Sequence, residues 1–421
     1  MVAEWKETKL GDCAEWLSGG TPFKGNDAFW SGPIPWVSAK DMKSFRLHDA
    51  EDHISTLAIG SGGKVVPAGT ILLLVRGMTL HNDVPICMVT REMAFNQDIK
   101  ALRPTKNVDA AFLAYWLLAH KPDLLASVDH AGHGTGRLVT DTLKGKAVKL
   151  PPLAEQKAIA AVLGALDDKI ELNRRMNATL EAMARVLFQS WFVDFDPVRA
   201  KLDGRKPTGL DPATAALFPE QLEETALGQT PKGWEVRSLD KTAHYLNGLA
   251  LQKYSPGAGP TLPVIKIAQL RKGDSVGADR CNINLPPNYI VQDGDVLFSW
   301  SGSLEVEFWC GGPGALNQHL FKVTSPEFPK WFYYLWTLYH LDEFRLIAAG
   351  KATTMGHIQR GHLTAAKVLI PPPQLIDVMT RTMSPVIDRL ITNRIQSRTL
   401  ATLRDTLLPK LLSGELSVPA A

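Results

Sequence analysis

Apolar residues at 159, 163, 166, 170, 176, 180, 183 and 187 recur with a three-four spacing that places them on one face of a helix. Positions 379, 383, 386, 390, 400, 403 and 407 repeat the pattern. The spacing predicts two long amphipathic helices, over 151–192 and 371–412. Prolines 151–152 and 371–373 suit their first turns, where a missing N–H costs nothing. Pro197 and Pro409 are expected to mark their ends, because the residue before a proline resists the α region. Before each helix lies a stretch rich in Gly and Pro with short β-like runs, "TILLLV" (70–75) and "DVLFSW" (295–300). Each run is followed by a helical segment, "AAFLAYWLLAHKPDLLASV" and "KWFYYLWTLYHLDEFRLIA". These predict mixed α/β domains over 1–150 and 232–370, with a linker at 193–231 and a tail at 413–421.

The two halves are copies. Residues 131–192 align with 351–412 without a gap, Leu143 on Leu363, Pro151–Pro152 on Pro371–Pro372, Asp168 on Asp388 and Asn173 on Asn393. Upstream, "EWKETKL" resembles "GWEVRSL", "VPAGTILLLVRG" resembles "VQDGDVLFSWSG", and "AFNQDIKAL" resembles "ALNQHLFKV". A repeat of roughly 200 residues is a tandem duplication of a whole domain, since solenoid repeats are much shorter.

A single apolar stripe on a helix of some 36 residues, roughly 54 Å long, needs cover. The matching stripe of the other copy is the best partner, and an antiparallel coiled coil needs only short crossings. Leu163, Leu180, Leu187, Leu400 and Leu407 are expected in that seam. Asn173 and Asn393 interrupt the two stripes at equivalent places. Either they meet at a pseudo-two-fold axis and fix the register, or they are solvent-edge residues inherited from the duplication. Two domains about a two-fold suit duplex DNA, of which such helices would span roughly 16 base pairs.

Composition narrows the class further. No apolar run reaches membrane-spanning length, and the polar start "MVAEWKETKL" argues against a secretory signal. Cys13, Cys87, Cys281 and Cys310 stand alone, as reduced thiols of a cytoplasmic protein do. The net charge of +3 is small, so any nucleic-acid surface must be a local patch.

No catalytic constellation is visible. "GSGGKVV" (60–66) lacks phosphate-loop spacing, "LPPNYI" (285–290) only scrambles an amide-positioning methyltransferase motif, and His130 and His133 in "HAGHG" fit an incidental pair better than a metal site. What remains is Lys and Arg among loop Gly, Ser and Asn, the residue types that phosphates and base edges use. Candidates are Lys24, Lys40, Lys43 and Arg76 in the first domain, and Lys253, Lys266, Arg271, Lys272 and Arg360 in the second. Trp30, Trp36, Trp300 and Trp309 are expected to fill core.

The segment "LPPLAEQKAIAAVLGALDDKIELNRRMNATLEAMARVLFQSWFVDFDPVRAK" resembles the central conserved region of the specificity subunit of type I restriction-modification systems. "LGQTPKGWEVRSL" and "LLPKLLSGEL" are similar to that family's approach to its second recognition domain and its ending. The resemblance implies a non-catalytic, DNA-binding chain whose two target-recognition domains each read half of a bipartite, asymmetric site. It implies helices that set the gap and dock two methyltransferase subunits. S-adenosylmethionine would belong to those subunits, and ATP and Mg to further motor-nuclease subunits. Glu155, Gln156, Asp168 and Asn173 fall in the matching stretch, and so in the helix and docking region. The second copy departs from it, since "PPPQLIDV" lacks the Glu-Gln of "PPLAEQKA". The competing expectation is an adaptor whose coiled coil only joins protein partners.

Overall fold

The computed structural model describes residues 5–129, 134–350 and 356–418; His130 and His133 lie outside them. In the first domain the run Ile71–Leu74 is buried at all four positions, as a strand covered on both faces must be. It lies at the centre of a five-stranded sheet, ordered Ala14–Ser18, Ile99–Pro104, Ile71–Leu74, Ile86–Val89 and Arg46–Leu47. A second, four-stranded sheet runs Asp52–Ile54, Ile34–Val37, Met93–Phe95, Val65–Val66. The helix Ala110–Ala119 is capped by Asp109, whose carboxylate accepts from Phe112 N at 3.0 Å, and it buries every residue from Phe112 to Leu117.

The second domain repeats this plan. His244–Asn247, Leu320–Thr324, Val296–Ser299 and Val306–Phe308 form one sheet, and Arg280–Asn282, Thr261–Ile265, Gly314–Leu316 and Ile290–Val291 the other. The parallel pairing of Ile34–Val37 with Met93–Phe95 recurs as Thr261–Ile265 with Gly314–Leu316. In both domains an antiparallel two-stranded ribbon leads into a long helix. It is Lys6–Lys9 with Ala147–Leu150, and Glu235–Ser238 with Lys367–Ile370.

The long helices are Leu153–Phe192 and Pro373–Ser413. The second runs through Pro409, which therefore does not end it, and through Pro385 as well. A proline there forfeits one backbone hydrogen bond, and burial of Leu408, Leu411 and Leu412 around Pro409 offsets that loss. Pro197 does follow the first helix, as the second residue of a short helix, Asp196–Leu202. The linker is ordered: Asp211 caps Pro212–Leu217, and Leu222–Thr225 pairs with Gly228–Pro231. Phe195 adopts φ +55°, unusual for a residue with a side chain, and its ring is buried edge-on against Trp234.

The chain divides into two compact units, residues 1–169 with 400–421, and residues 170–399. In the first, Ile159, Ala160 and Leu163 share one core with Leu408, Leu411, Leu412 and the domain's sheet. Arg404 donates to the carboxylate of Asp167 at 2.7 Å, and Tyr115 OH donates to the same carboxylate at 2.6 Å. Partner numbers fall along one helix as they rise along the other, so the pairing is antiparallel.

The second unit shows the same sense. Asn173 and Asn393 are fully buried. Asn173 Nδ2 donates to Gln396 Oε1 at 3.0 Å, to Ser397 Oγ at 3.3 Å and to Asn393 O at 3.4 Å. Asn393 Nδ2 donates to Asn177 Oδ1 at 2.9 Å, and Asn177 Nδ2 to Leu390 O at 3.2 Å. Ser397 is the copy of Asn177, so the two donations are related by the internal symmetry of the repeat.

The buried stripe drifts from the one expected. Met183 and Leu403, equivalent positions, are 48% and 45% exposed, while Ala184, Phe188, Trp191 and Phe192 are buried. A 3.6-residue period slips against a 3.5-residue repeat over many turns. The large rings decide the final face: Phe188 meets Trp336 edge-on at 5.0 Å.

Asn393→Ala removes the donor to Asn177 in a buried site and is expected to destabilise by about 1–3 kcal/mol, read as a lowered urea midpoint. A double-mutant cycle with Asn177→Ala should give a coupling above about 0.5 kcal/mol; additive losses would show that the amides act independently.

Candidate nucleic-acid interface

Each domain presents a turn built on an Asn-Gln pair. Asn96 Oδ1 accepts from Asp98 N at 3.1 Å, and Asn317 Oδ1 accepts from His319 N at 3.3 Å. Both turns are tied inward, by Asn96 N to Val37 O and by Asn317 N to Ile265 O. The next segment lies directly on each turn: a Cβ on Gly19 would come 2.1 Å from Asn96 O, and one on Gly248 2.2 Å from Asn317 O. Only glycine permits that approach. A strand end is strapped alongside, Val75 N to Asp98 O at 2.9 Å and Trp300 N to His319 O at 3.4 Å.

The basic candidates fall into three groups. Lys24, Lys43, Arg76 and Lys253 are exposed. Lys40, Lys266, Arg271 and Lys272 are also exposed but already paired. Lys40 meets Asp52 at 3.0 Å and Glu51 at 3.1 Å, and these hydrogen bonds, Asp52's first, raise its pKa above the ordinary lysine value. Lys266 pairs with Asp279, Arg271 with Glu305 at 2.9 Å and Lys272 with Asp274 at 3.2 Å. Exposed pairs of this kind contribute little to stability, so a phosphate can compete for the cation. Arg271 and Lys272 stand together on the helix Ile267–Lys272, with Lys266 as its N-cap. Arg360 has a structural position, its guanidinium 5.6 Å from the Phe321 ring centroid and donating to Tyr245 O at 3.2 Å.

Of the tryptophans, Trp36 and Trp309 are buried. Trp30 is half-buried and meets Trp36 edge-on at 5.1 Å. Trp300 is half-buried beside the second turn, with Nε1 donating to Asn247 Oδ1 at 2.9 Å.

Among the helix residues, Leu163 is fully buried, Leu180, Leu187 and Leu407 are partly buried against the cores, and Leu400 is half-buried. Glu155 is half-buried in the first turn, and Asp388 faces solvent. Asp168 also faces solvent and takes an ion pair from Arg46 of the first domain. Gln156 is turned inward and offers no surface. Its side-chain amide donates to Pro151 O at 2.9 Å and Asn107 O at 3.1 Å and accepts from Asp109 N at 2.8 Å. It clamps the helix start to the loop before Ala110–Ala119. In the second copy its counterpart is Ile376, buried with Leu375 in an apolar seat. The missing Glu-Gln thus reflects two different ways of anchoring the same helix.

Nucleophilic chemistry finds no footing on the thiols. Burial pushes Cys87 up to about 12, and Cys13 and Cys310 up to about 11. Among the described residues no cluster of His, Cys, Asp or Glu could hold a metal ion, and no helix is long and apolar enough to cross a membrane.

Two α/β domains of one plan, each with the same Asn-Gln turn, joined to antiparallel helices, define a duplicated recognition protein. The sequence profile described as the type I restriction modification DNA specificity domain matches residues 3–182 and again 231–398, and the chain belongs to that family. It is 26% identical over 429 residues to the type I restriction enzyme MjaIX specificity subunit of Methanocaldococcus jannaschii, covering 99% of this chain and 94% of that one. It is 24% identical to the HindI specificity subunit of Haemophilus influenzae, covering 99% and all of the relative. The crystal structure of the S subunit of the type I restriction-modification system from M. genitalium superposes with a TM-score of 0.55 at 14% identity. That match covers 97% of this chain and 96% of that one, and so shares its fold.

Gln156→Ile, which imports the second copy's residue, strands the Asp109 N–H and is expected to cost about 1–3 kcal/mol of stability, measured by urea unfolding. An unchanged midpoint would show that the clamp is dispensable. Under native conditions at pH 8 the buried thiols of Cys13, Cys87 and Cys310 should resist iodoacetamide and become reactive in denaturant, as scored by mass spectrometry.

Proposed function

We propose that this chain is the DNA-reading subunit of a type I complex, each globular domain contacting one half of a bipartite, asymmetric duplex site. The two long helices set the separation of the halves and dock two methyltransferase subunits, with motor-nuclease subunits joining for cleavage. The chain itself does no chemistry; S-adenosylmethionine is bound by the methyltransferase, and ATP and Mg by the motor-nuclease. It works in the cytoplasm, where its DNA is.

The observation that carries this reading is the duplicated turn. Two domains share one backbone frame, and the side chains set on it differ, as expected of two readers with different half-sites. The paired lysines and arginines around it suit exchange of a carboxylate for a phosphate, which fixes position without specifying sequence.

Adenine methylation mapped across the genome of a host lacking other such systems, co-expressing this chain with its methyltransferase, should show one motif. That motif should have two short blocks and a fixed unread gap. Exchanging residues 1–150 for the equivalent domain of another family member should rewrite one block and leave the other. A stable complex with no motif, or an unbroken motif, would instead favour an adaptor that joins protein partners.

A further inference from the structure

Arg76 and Arg137 sit directly opposite each other, on the antiparallel pair Arg76–Gly77 and Gly136–Arg137. Both are exposed, and Arg137 also lies across an antiparallel bridge from Asp129, with which it exchanges two backbone hydrogen bonds. Like charges in directly opposed cross-strand positions destabilise the pair. The opposed guanidiniums cost the strand pair some stability, and their use lies in what they meet outside the chain.

Their place in the repeat says what that is. Leu138 N donates to Val75 O at 2.8 Å, and in the second domain Ile358 N donates to Trp300 O at 2.9 Å. Arg76 therefore corresponds to Ser301, and Arg137 to His357, which bridge in the same antiparallel way. Both pairs flank the Asn-Gln turn. The first turn presents Gln97 and Asp98, the second Gln318 and His319, with Ser301 Oγ 2.9 Å from His319 Nδ1. The backbone is duplicated down to single hydrogen bonds, while the side chains on it differ: two exposed arginines in the first domain, a buried Ser301 and a half-buried His357 in the second. A backbone frame kept in both copies with different side chains set on it suits two readers of different half-sites.

We propose that these paired strand ends are the base-reading elements of the two domains. Arg76 and Arg137 recognise the major-groove edge of a guanine; in the second domain Ser301 is buried against His319, and the half-buried Gln318 and His319 of the adjoining turn read the other half-site. Guanine O6 and N7 are the acceptors that a guanidinium contacts with two donors at once. Phosphate binding would not require the two side chains to stand on a rigid ribbon beside a fixed turn. This inference rests on the DNA-reading role proposed above.

The test uses the full chain in its methyltransferase complex. Each guanine of the first block is replaced in turn by 7-deazaguanine, which lacks the N7 acceptor, and duplex affinity is measured. One substitution should weaken the unaltered complex roughly tenfold, and a variant carrying Arg76→Ser with Arg137→His should be indifferent to it. In methylation mapping that variant should relax or change the first block only, the intact second block showing that the complex is assembled. A first block without guanine, no sensitivity to any 7-deaza position, or an unaltered motif in the variant would overturn the proposal. An equal loss of affinity for all sequences, with a shallower salt dependence, would make the pair a phosphate contact and overturn it too. If the unaltered chain directs no two-block motif, the DNA-reading assignment itself fails and takes this inference with it.

Discussion

Three buried amides, Asn173, Asn177 and Asn393, settle how the long helices pair in the unit where they lie. An apolar stripe slides easily, because one leucine replaces another at little cost. An amide buried in that stripe has to find its partner. Asn393 reaches Asn177 and Asn173 reaches Ser397, at symmetry-related positions. The side-chain oxygens of Asn173 and Asn393 have no partner among the described residues, so the site gives up some stability. Buried polar groups of this kind serve registry more than strength. In the other unit Asp167 plays a similar part, holding Arg404 and Tyr115 together.

The rest of the architecture follows from where those helices begin. Each emerges from the ribbon that closes its domain, so the domain and helix form a continuous run of structure. The two copies reach this end by different chemistry. Gln156 binds three backbone groups with its amide, whereas Ile376 is simply buried. Duplication preserved the geometry and let the interactions underneath it drift.

The recognition frame obeys the opposite rule. Its hydrogen bonds and its two tight glycines are kept in both copies, and the outward side chains are not. Lys40, Lys266, Arg271 and Lys272 are each paired with nearby acids. Arg76 and Arg137 stand out because two exposed cations face each other across one strand pair.

Much of this was legible in the residues. The repeat, the two helices, their antiparallel sense and the α/β class follow from periodicity and from matching words, because hydrophobic period and proline placement are local properties. The Asn173–Asn393 meeting was one of two open alternatives, since a stripe interruption looks the same whether it faces a partner or water. Pro409 inside its helix, the shift of the buried face from Met183 to Ala184 and Phe188, and the inward turn of Gln156 needed the tertiary structure. Each depends on which neighbours cover a position, and the sequence does not state that. Arg137 went unnoticed for the same reason: its meaning comes from lying across a strand from Arg76, sixty-one positions earlier in the chain. The sequence by itself determined that there are two readers on paired helices. Only the tertiary structure decided which side chains each domain exposes, because exposure is set by the frame around a residue and not by its identity.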